Sequence, residues 1–253
     1  MRSSFLLALF FGLALFTRAA GPCNPRDLEG TYGFQLTGET TISGDPKPAV
    51  SLGRLLFDDS GGVSGTSSAK FAGLLLGTPV TGTYEVRTDC TVTWSLRDDS
   101  GGYQHFRGVA APGGVRVRFR QTDPGGLRSG LLVRTAAEGC KVADLQPKYT
   151  FTISGSIIPM TEEGPSHTVS AKGVMEEDIN HHFHVTLEGS SPYTTDVAIT
   201  VESDCTVEQE LVLPLEGSAT AVKLRGILVD RGKEILAIQT DPGAMVSARF
   251  TAP

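Results

Sequence analysis

His181-His182-Phe183-His184 is the run with the makings of a metal site. Alternate residues of a β-strand share a face, so His182 and His184 point one way and His181 and Phe183 the other. Two imidazoles so spaced can hold one ion if a third ligand, such as His167 or Glu188, joins them. No cysteine or carboxylate stands at a recognised ligand spacing, and the acidic run Glu176-Glu177-Asp178 lies just upstream. The expectation is therefore an exposed polar strand beside an acidic turn. His182 and His184 are the metal candidates, and neither a metal nor a cofactor is called for.

Arg116, Arg118 and Arg120 form a second patterned set, alternating with Val117 and Phe119. Their counterparts 118 positions later are Glu234, Leu236 and Ile238, while the opposite face stays apolar (Ile235, Ala237). A basic outer face in one copy thus becomes largely apolar in the other. Exposed apolar surface of that kind is costly unless covered. The strand at 233–240 is expected to pack on the other domain or on a second subunit, which makes these five residues the candidate binding or interface set. Asp58-Asp59-Ser60 and Asp98-Asp99-Ser100 lack the alternating acids and closing Glu of a calcium loop, and their Gly-Gly endings read as hairpin turns. There is no nucleophile elbow, phosphate loop or dinucleotide fingerprint, and no catalytic residue is assigned.

These residues sit in a chain that is written twice. Cys23, Leu28, Tyr32, Phe34 and Gly38 match Cys140, Leu145, Tyr149, Phe151 and Gly155, each 117 positions apart. Asp89-Cys90-Thr91-Val92 returns as Asp204-Cys205-Thr206-Val207, and Gln121-Thr122-Asp123-Pro124-Gly125 as Gln239-Thr240-Asp241-Pro242-Gly243. The units are expected at 21–138 and 139–253. Period-two alternation and turn chemistry predict strands at 31–38, 50–57, 62–70, 79–87, 91–98, 102–110, 114–121 and 127–134. In the second copy they fall at 148–155, 166–175, 182–189, 193–202, 206–213, 219–229, 233–240 and 245–251. Asp45-Pro46 reads as a turn between the first two strands. The Asp58–Gly62 turn has no clear counterpart in the second copy. Eight short antiparallel strands per copy fit an up-and-down barrel or an open sandwich. The barrel is the expectation, because closure removes exposed strand edges.

Residues 1–20 have the layout of a helical secretory signal peptide: a basic start at Arg2, an apolar run Phe5–Phe16, then small residues. The protein is accordingly expected to be secreted, periplasmic or extracellular. Removing Arg2 and Arg18 takes the net charge from −6 to −8, and all of that charge falls in 139–253. Such a balance argues against nucleic acid, or a membrane after cleavage, as partner. In that compartment the four cysteines should be bonded. Equivalent positions should pair equivalently, which selects Cys23–Cys90 and Cys140–Cys205.

Leu28-Glu29-Gly30-Thr31-Tyr32-Gly33-Phe34, the Phe57–Gly65 turn segment, and Thr81–Val86 leading into Asp89-Cys90 together resemble bacterial secreted proteins of the allene-oxide-cyclase-barrel-like group. That group is similar in fold to calycin barrels and dirigent proteins. The resemblance implies an eight-stranded barrel and brings no catalytic residues to this chain. The resulting expectation is all-β: two tandem eight-stranded antiparallel calycin-like barrels after a signal peptide. The function expected is a non-enzymatic module that binds a small apolar ligand or an extracellular partner. The alternative is a cyclase- or dirigent-like isomerase that shapes a reactive intermediate in a barrel lumen.

Overall fold

Alternation sends Tyr32, Phe34 and Leu36 to one side of their strand, and all three are buried. The computed structural model, described for residues 23–42, 45–71, 74–158, 166–189, 193–215 and 218–253, shows what they are buried in. The expected signal peptide lies outside the described residues. The first eight strands are β1 (Gly30–Ile42), β2 (Asp45–Phe57), β3 (Gly62–Phe71), β4 (Leu74–Val86), β5 (Thr91–Asp98), β6 (Tyr103–Ala110), β7 (Arg116–Gln121) and β8 (Gly126–Arg134). Each pairs antiparallel with the next, and β8 pairs back to β1, so the sheet closes. The second eight are β9 (Lys148–Ile157), β10 (His167–Glu177), β11 (Phe183–Leu187), β12 (Tyr193–Val201), β13 (Thr206–Leu215), β14 (Ser218–Val229), β15 (Glu234–Gln239) and β16 (Ala244–Thr251). They close through β16 and β9 into a second barrel. The all-β, two-barrel expectation is correct. Among the described residues no helix is long and apolar enough to cross a membrane.

The Asp45-Pro46 turn is not where the sequence reading put it. Both residues belong to β2, with Pro46 opposite Thr41 and Pro48 opposite Glu39. Pairing of β2 with β3 starts only at Ala49. The prolines thus lie where the strand has one neighbour, the edge setting that tolerates a missing N–H. β4 likewise starts at Leu74 rather than 79, and Pro79 has β3 on one side only, because β5 joins at Val80.

One end of each barrel is sealed the same way. A 3-10 turn (Pro25–Leu28) crosses the first barrel's end and drops Leu28 into the core. The Tyr32 hydroxyl donates to the Gly114 carbonyl at 2.7 Å. Gly114 has φ +65°, and a Cβ there would overlap the Asp27 carbonyl, so only glycine fits. The second barrel repeats the device with Val142–Asp144, Leu145, and Tyr149 donating to Gly232 (φ +83°) at 2.6 Å. Burial pushes both phenols up to about 12. Disulfides Cys23–Cys90 and Cys140–Cys205 pin these straps to the turns before β5 and β13.

The barrels meet side to side. The outer face of β1 and β2 lies against β14, β15 and β16. Val50, Leu52 and Val133 join the second barrel's apolar cluster, with Leu236 and Ile238 both 0% exposed. Gly33 permits this approach, since a Cβ there would lie 2.7 Å from Val229 Cγ1. Polar pins surround the contact. Gln35 Nε2 donates to the carbonyls of Ala237 (2.7 Å) and Ala248 (3.0 Å). Arg54 donates to the Asp204 carbonyl at 2.7 Å, and the buried Lys70 ammonium donates to those of Gln239 and Asp241.

Candidate functional site

The arginine and histidine sets occupy different places. Arg116 reaches across the barrel contact to Glu234, its own counterpart in the repeat. Glu234 is 4% exposed and also takes Arg249 at 3.0 Å. Arg118 and Arg120 are exposed on the first barrel. The five residues therefore form no single site. Arg116, Leu236 and Ile238 lie in the contact, and the other two arginines face solvent.

The histidines form the counterpart of the Asp58–Gly62 turn, which the sequence reading had found missing. Phe57 pairs with Val63 across that turn, and Glu177 pairs with Phe183 across this one. Asp58 Oδ1 accepts from the amides of Ser60 and Gly62, and Asp178 Oδ1 accepts from those of Asn180 (2.8 Å) and His182 (2.9 Å). The match was hidden because His181 (φ 63°) takes the left-handed position that Gly61 (φ 85°) holds in the first barrel. His184 is held between Asp178 Oδ2 (3.3 Å, Nε2) and Asp196 Oδ1 (2.8 Å, Nδ1). Both ring nitrogens face carboxylates, an arrangement for imidazolium rather than for a ligand. Among the described residues no three His, Cys, Asp or Glu side chains converge to hold a metal ion.

The hydrogen bond that Asp178 accepts from the His184 ring, reinforced by Asp196, raises the His184 pKa above the ordinary 6.5. The His182 and Asn180 amides, with His184, lower Asp178 to about 2. A raised histidine contributes stability that is complete below its unfolded value, about 6.5, and is lost as pH rises through the folded one. A depressed aspartate contributes above its unfolded value, about 3.9, and loses that contribution as pH falls towards 2. In an NMR titration His184 should therefore titrate late, and Asp178→Asn should bring its midpoint down. An ordinary midpoint in the unaltered protein would refute the pairing.

The end of the first barrel opposite its strap holds a cavity of about 270 Å³. Phe34, Leu36, Leu96 and Phe106 form apolar walls, while Ser67, Ala69 and Thr78 come from β3 and β4. Arg128 extends into it from β8 and is only 8% exposed. Its Nε donates to Gln121 Oε1 (2.8 Å), Nη2 to Gln104 Oε1 (3.0 Å) and Nη1 to Ser51 Oγ (3.4 Å). No carboxylate among the described residues is within ion-pair distance of it. Asp123 acts through Gln121, whose amide donates to Asp123 Oδ2 at 2.9 Å. Burial lowers the Arg128 pKa and Asp123 partly offsets that. A guanidinium starts so high that it stays charged.

No protein-family model matches the chain, and no curated protein matches it. Among solved structures, a porin-like protein from Bacteroides uniformis is similar at a TM-score of 0.19 and 10% identity, covering 87% of this chain and 97% of that one. An overlap of that quality carries no argument about fold or role.

The second barrel serves as an internal control for the cavity. Strand register aligns Arg128 with Val246 (opposite Gly38 and Gly155), Gln104 with Val222 (opposite Leu96 and Leu211), and Ser51 with Ala171 (opposite Leu36 and Ile153). Arg128, Gln104 and Ser51 thus all have apolar counterparts in the other copy. Gln239 and Asp241 nevertheless keep the bond of Gln121 and Asp123, so that part belongs to the turn. Sequence reasoning missed Arg128 because polarity is inverted at the start of β8: Leu127 is exposed and Arg128 is buried. The available signal was the change to Val246 just beyond the identical Gln-Thr-Asp-Pro-Gly run. Lower in the second lumen, Gln209 stands where the first barrel has Trp94, with Leu224 and Ala237 in place of Phe106 and Phe119. The Gln209 amide is 3% exposed and has no hydrogen-bond partner among the described residues, an arrangement that costs about 1–3 kcal/mol.

Proposed function

We propose that the protein is an exported, non-enzymatic binding protein whose first barrel takes a small, largely apolar ligand through its open end, with the second barrel as a packed support. The observation that carries this reading is the lumen cavity of about 270 Å³ at the end of the barrel away from the Leu28 strap, lined by apolar walls with a few convergent polar groups. That combination is the usual make-up of a ligand site, at a volume just below the usual range and suited to a small ligand. Two disulfides suit an oxidising compartment. The glycine and turn motifs that resemble allene-oxide-cyclase-barrel-like proteins support the reading from the sequence side.

The chain supplies its own reporter. Trp94 is the single tryptophan, and it stacks on the cavity residue Phe106 with ring centroids 5.1 Å apart. Decanol titrated into the protein should change Trp94 emission saturably. Ala69→Phe, which places a ring in the cavity, should abolish the response while leaving the fold intact by circular dichroism. Decanol binding that Ala69→Phe leaves unaltered would place the site elsewhere, and no binding at all would end the proposal.

A further inference from the structure

We infer that the ligand of the first barrel carries an anionic head group, a carboxylate in the simplest case, and that Arg128 receives it inside the lumen. The inference rests on the lumen-binding reading above and specifies its chemistry.

A buried guanidinium needs an explanation, because removing a charge from water is costly unless it is paired. The fold does not supply the reason. Val246 stands at the same register position in the second barrel, which closes on itself without a charge there. Nor does any carboxylate among the described residues stand in contact with it. The three acceptors of Arg128 are two amide oxygens and one hydroxyl, all neutral. Asp123 is the nearest influence, but its oxygens are committed to His105 and Gln121. Arginine presents five N–H donors in a planar fork. Three are taken, which leaves one hydrogen on each terminal nitrogen, and a carboxylate accepts such a pair in bidentate fashion.

The other charges at the cavity do not compete for that role. Lys70 is turned to the second barrel, where it donates to the carbonyls of Gln239 and Asp241. Asp98 stands near the rim with one oxygen engaged by Ser100 Oγ (2.6 Å) and the Gly102 amide (2.9 Å). Its charge disfavours an anion left at the mouth and favours one drawn in to Arg128. Gln104 and Ser51 hold the fork in place, and Phe34, Leu36 and Phe106 offer apolar surface for the rest of the ligand. Arg128, held by Gln104 and Ser51 beside the rings of Phe34 and Phe106, makes a site suited to a short amphiphilic acid.

Matched probes separate the head group from the tail. Decanoic acid and decanol, and cinnamic acid and cinnamyl alcohol, are titrated into the full protein at neutral pH, followed by Trp94 emission and calorimetry. Each acid should bind at least tenfold tighter than its alcohol. Arg128→Met should reduce that preference to less than threefold, and Arg128→Lys should keep part of it. The acid–alcohol comparison needs no variant, so a misfolded Arg128→Met would not shelter the inference. Equal binding of acid and alcohol would overturn the anionic head group and leave the lumen site standing. A preference that survives Arg128→Met would overturn the assignment to Arg128. Binding of neither would overturn both.

Discussion

Replacing Leu236 and Ile238 together by serine should uncouple the two barrels, giving two separate unfolding transitions and a larger radius of gyration in solution scattering. Both side chains are fully buried, and the strand that carries them lies against β2 of the first barrel. Truncating a buried Leu or Ile costs about 2–5 kcal/mol through lost transfer energy and the cavity left behind. A serine hydroxyl with no partner adds about 1–3 kcal/mol. The two positions share neighbours, so the costs will not simply add, but a loss above about 4 kcal/mol is expected. The polar pins are present before and after the change. Each bond from Gln35 contributes about 0.5–1.5 kcal/mol and those from the cationic Lys70 and Arg54 about 1.5–3 kcal/mol, and none of them replaces the lost apolar contact. An unchanged melting curve and scattering profile would show that the contact does not hold the barrels together.

The second large effect is expected at the staples. Replacing Cys23 and Cys90 by alanine should cost about 4 kcal/mol in the chain-entropy account of a 67-residue separation. The structure refines this expectation. Cys90 sits at φ 66°, and Cys205 at φ 71°, conformations that disfavour any residue with a Cβ by roughly 1–2 kcal/mol. The bond holds the cysteine there, and Asp89 helps by accepting the Thr91 amide at 2.9 Å. Once the bond is gone, an alanine keeps the conformational cost and a glycine does not. Cys23→Ala with Cys90→Gly should therefore be more stable than Cys23→Ala with Cys90→Ala, by about 1 kcal/mol in chemical denaturation. The reverse order would mean that the turn relaxes when the bond is removed.

How much could be read in advance depended on the range of the interaction. The strands and the disulfide pairing rest on local turn chemistry and on the repeat, and the sequence carries both directly. The extension of β1 to Ile42 and of β2 back to Asp45 was missed because proline reads as a break unless the strand is known to lack a second neighbour. The Asp178 turn was missed because His181 fills a position where the first copy uses glycine. Arg128 was missed for a deeper reason. Alternation assigns charged residues to the outside, and only the closed sheet, with its bend at Gly38, shows that this one faces the lumen. Leu236 and Ile238 stood out because an apolar pair on the wrong face breaks the same rule in the other direction.

The side-by-side contact of the barrels joins unlike faces: β1 and β2 of one copy meet β14 to β16 of the other, which repeat β6 to β8. A head-to-tail joint of this kind has no built-in end, and a third barrel could in principle dock on either side. Both free faces are altered against it. Where the first barrel offers Val50 and Leu52, the second shows exposed Ser170 and Lys172; where the second offers Leu236 and Ile238, the first shows exposed Arg118 and Arg120. The exposed pair Arg118 and Arg120 reads better as a terminus. With Lys172 it puts charge where a further copy would have to bury apolar surface, which weighs against growth beyond two barrels.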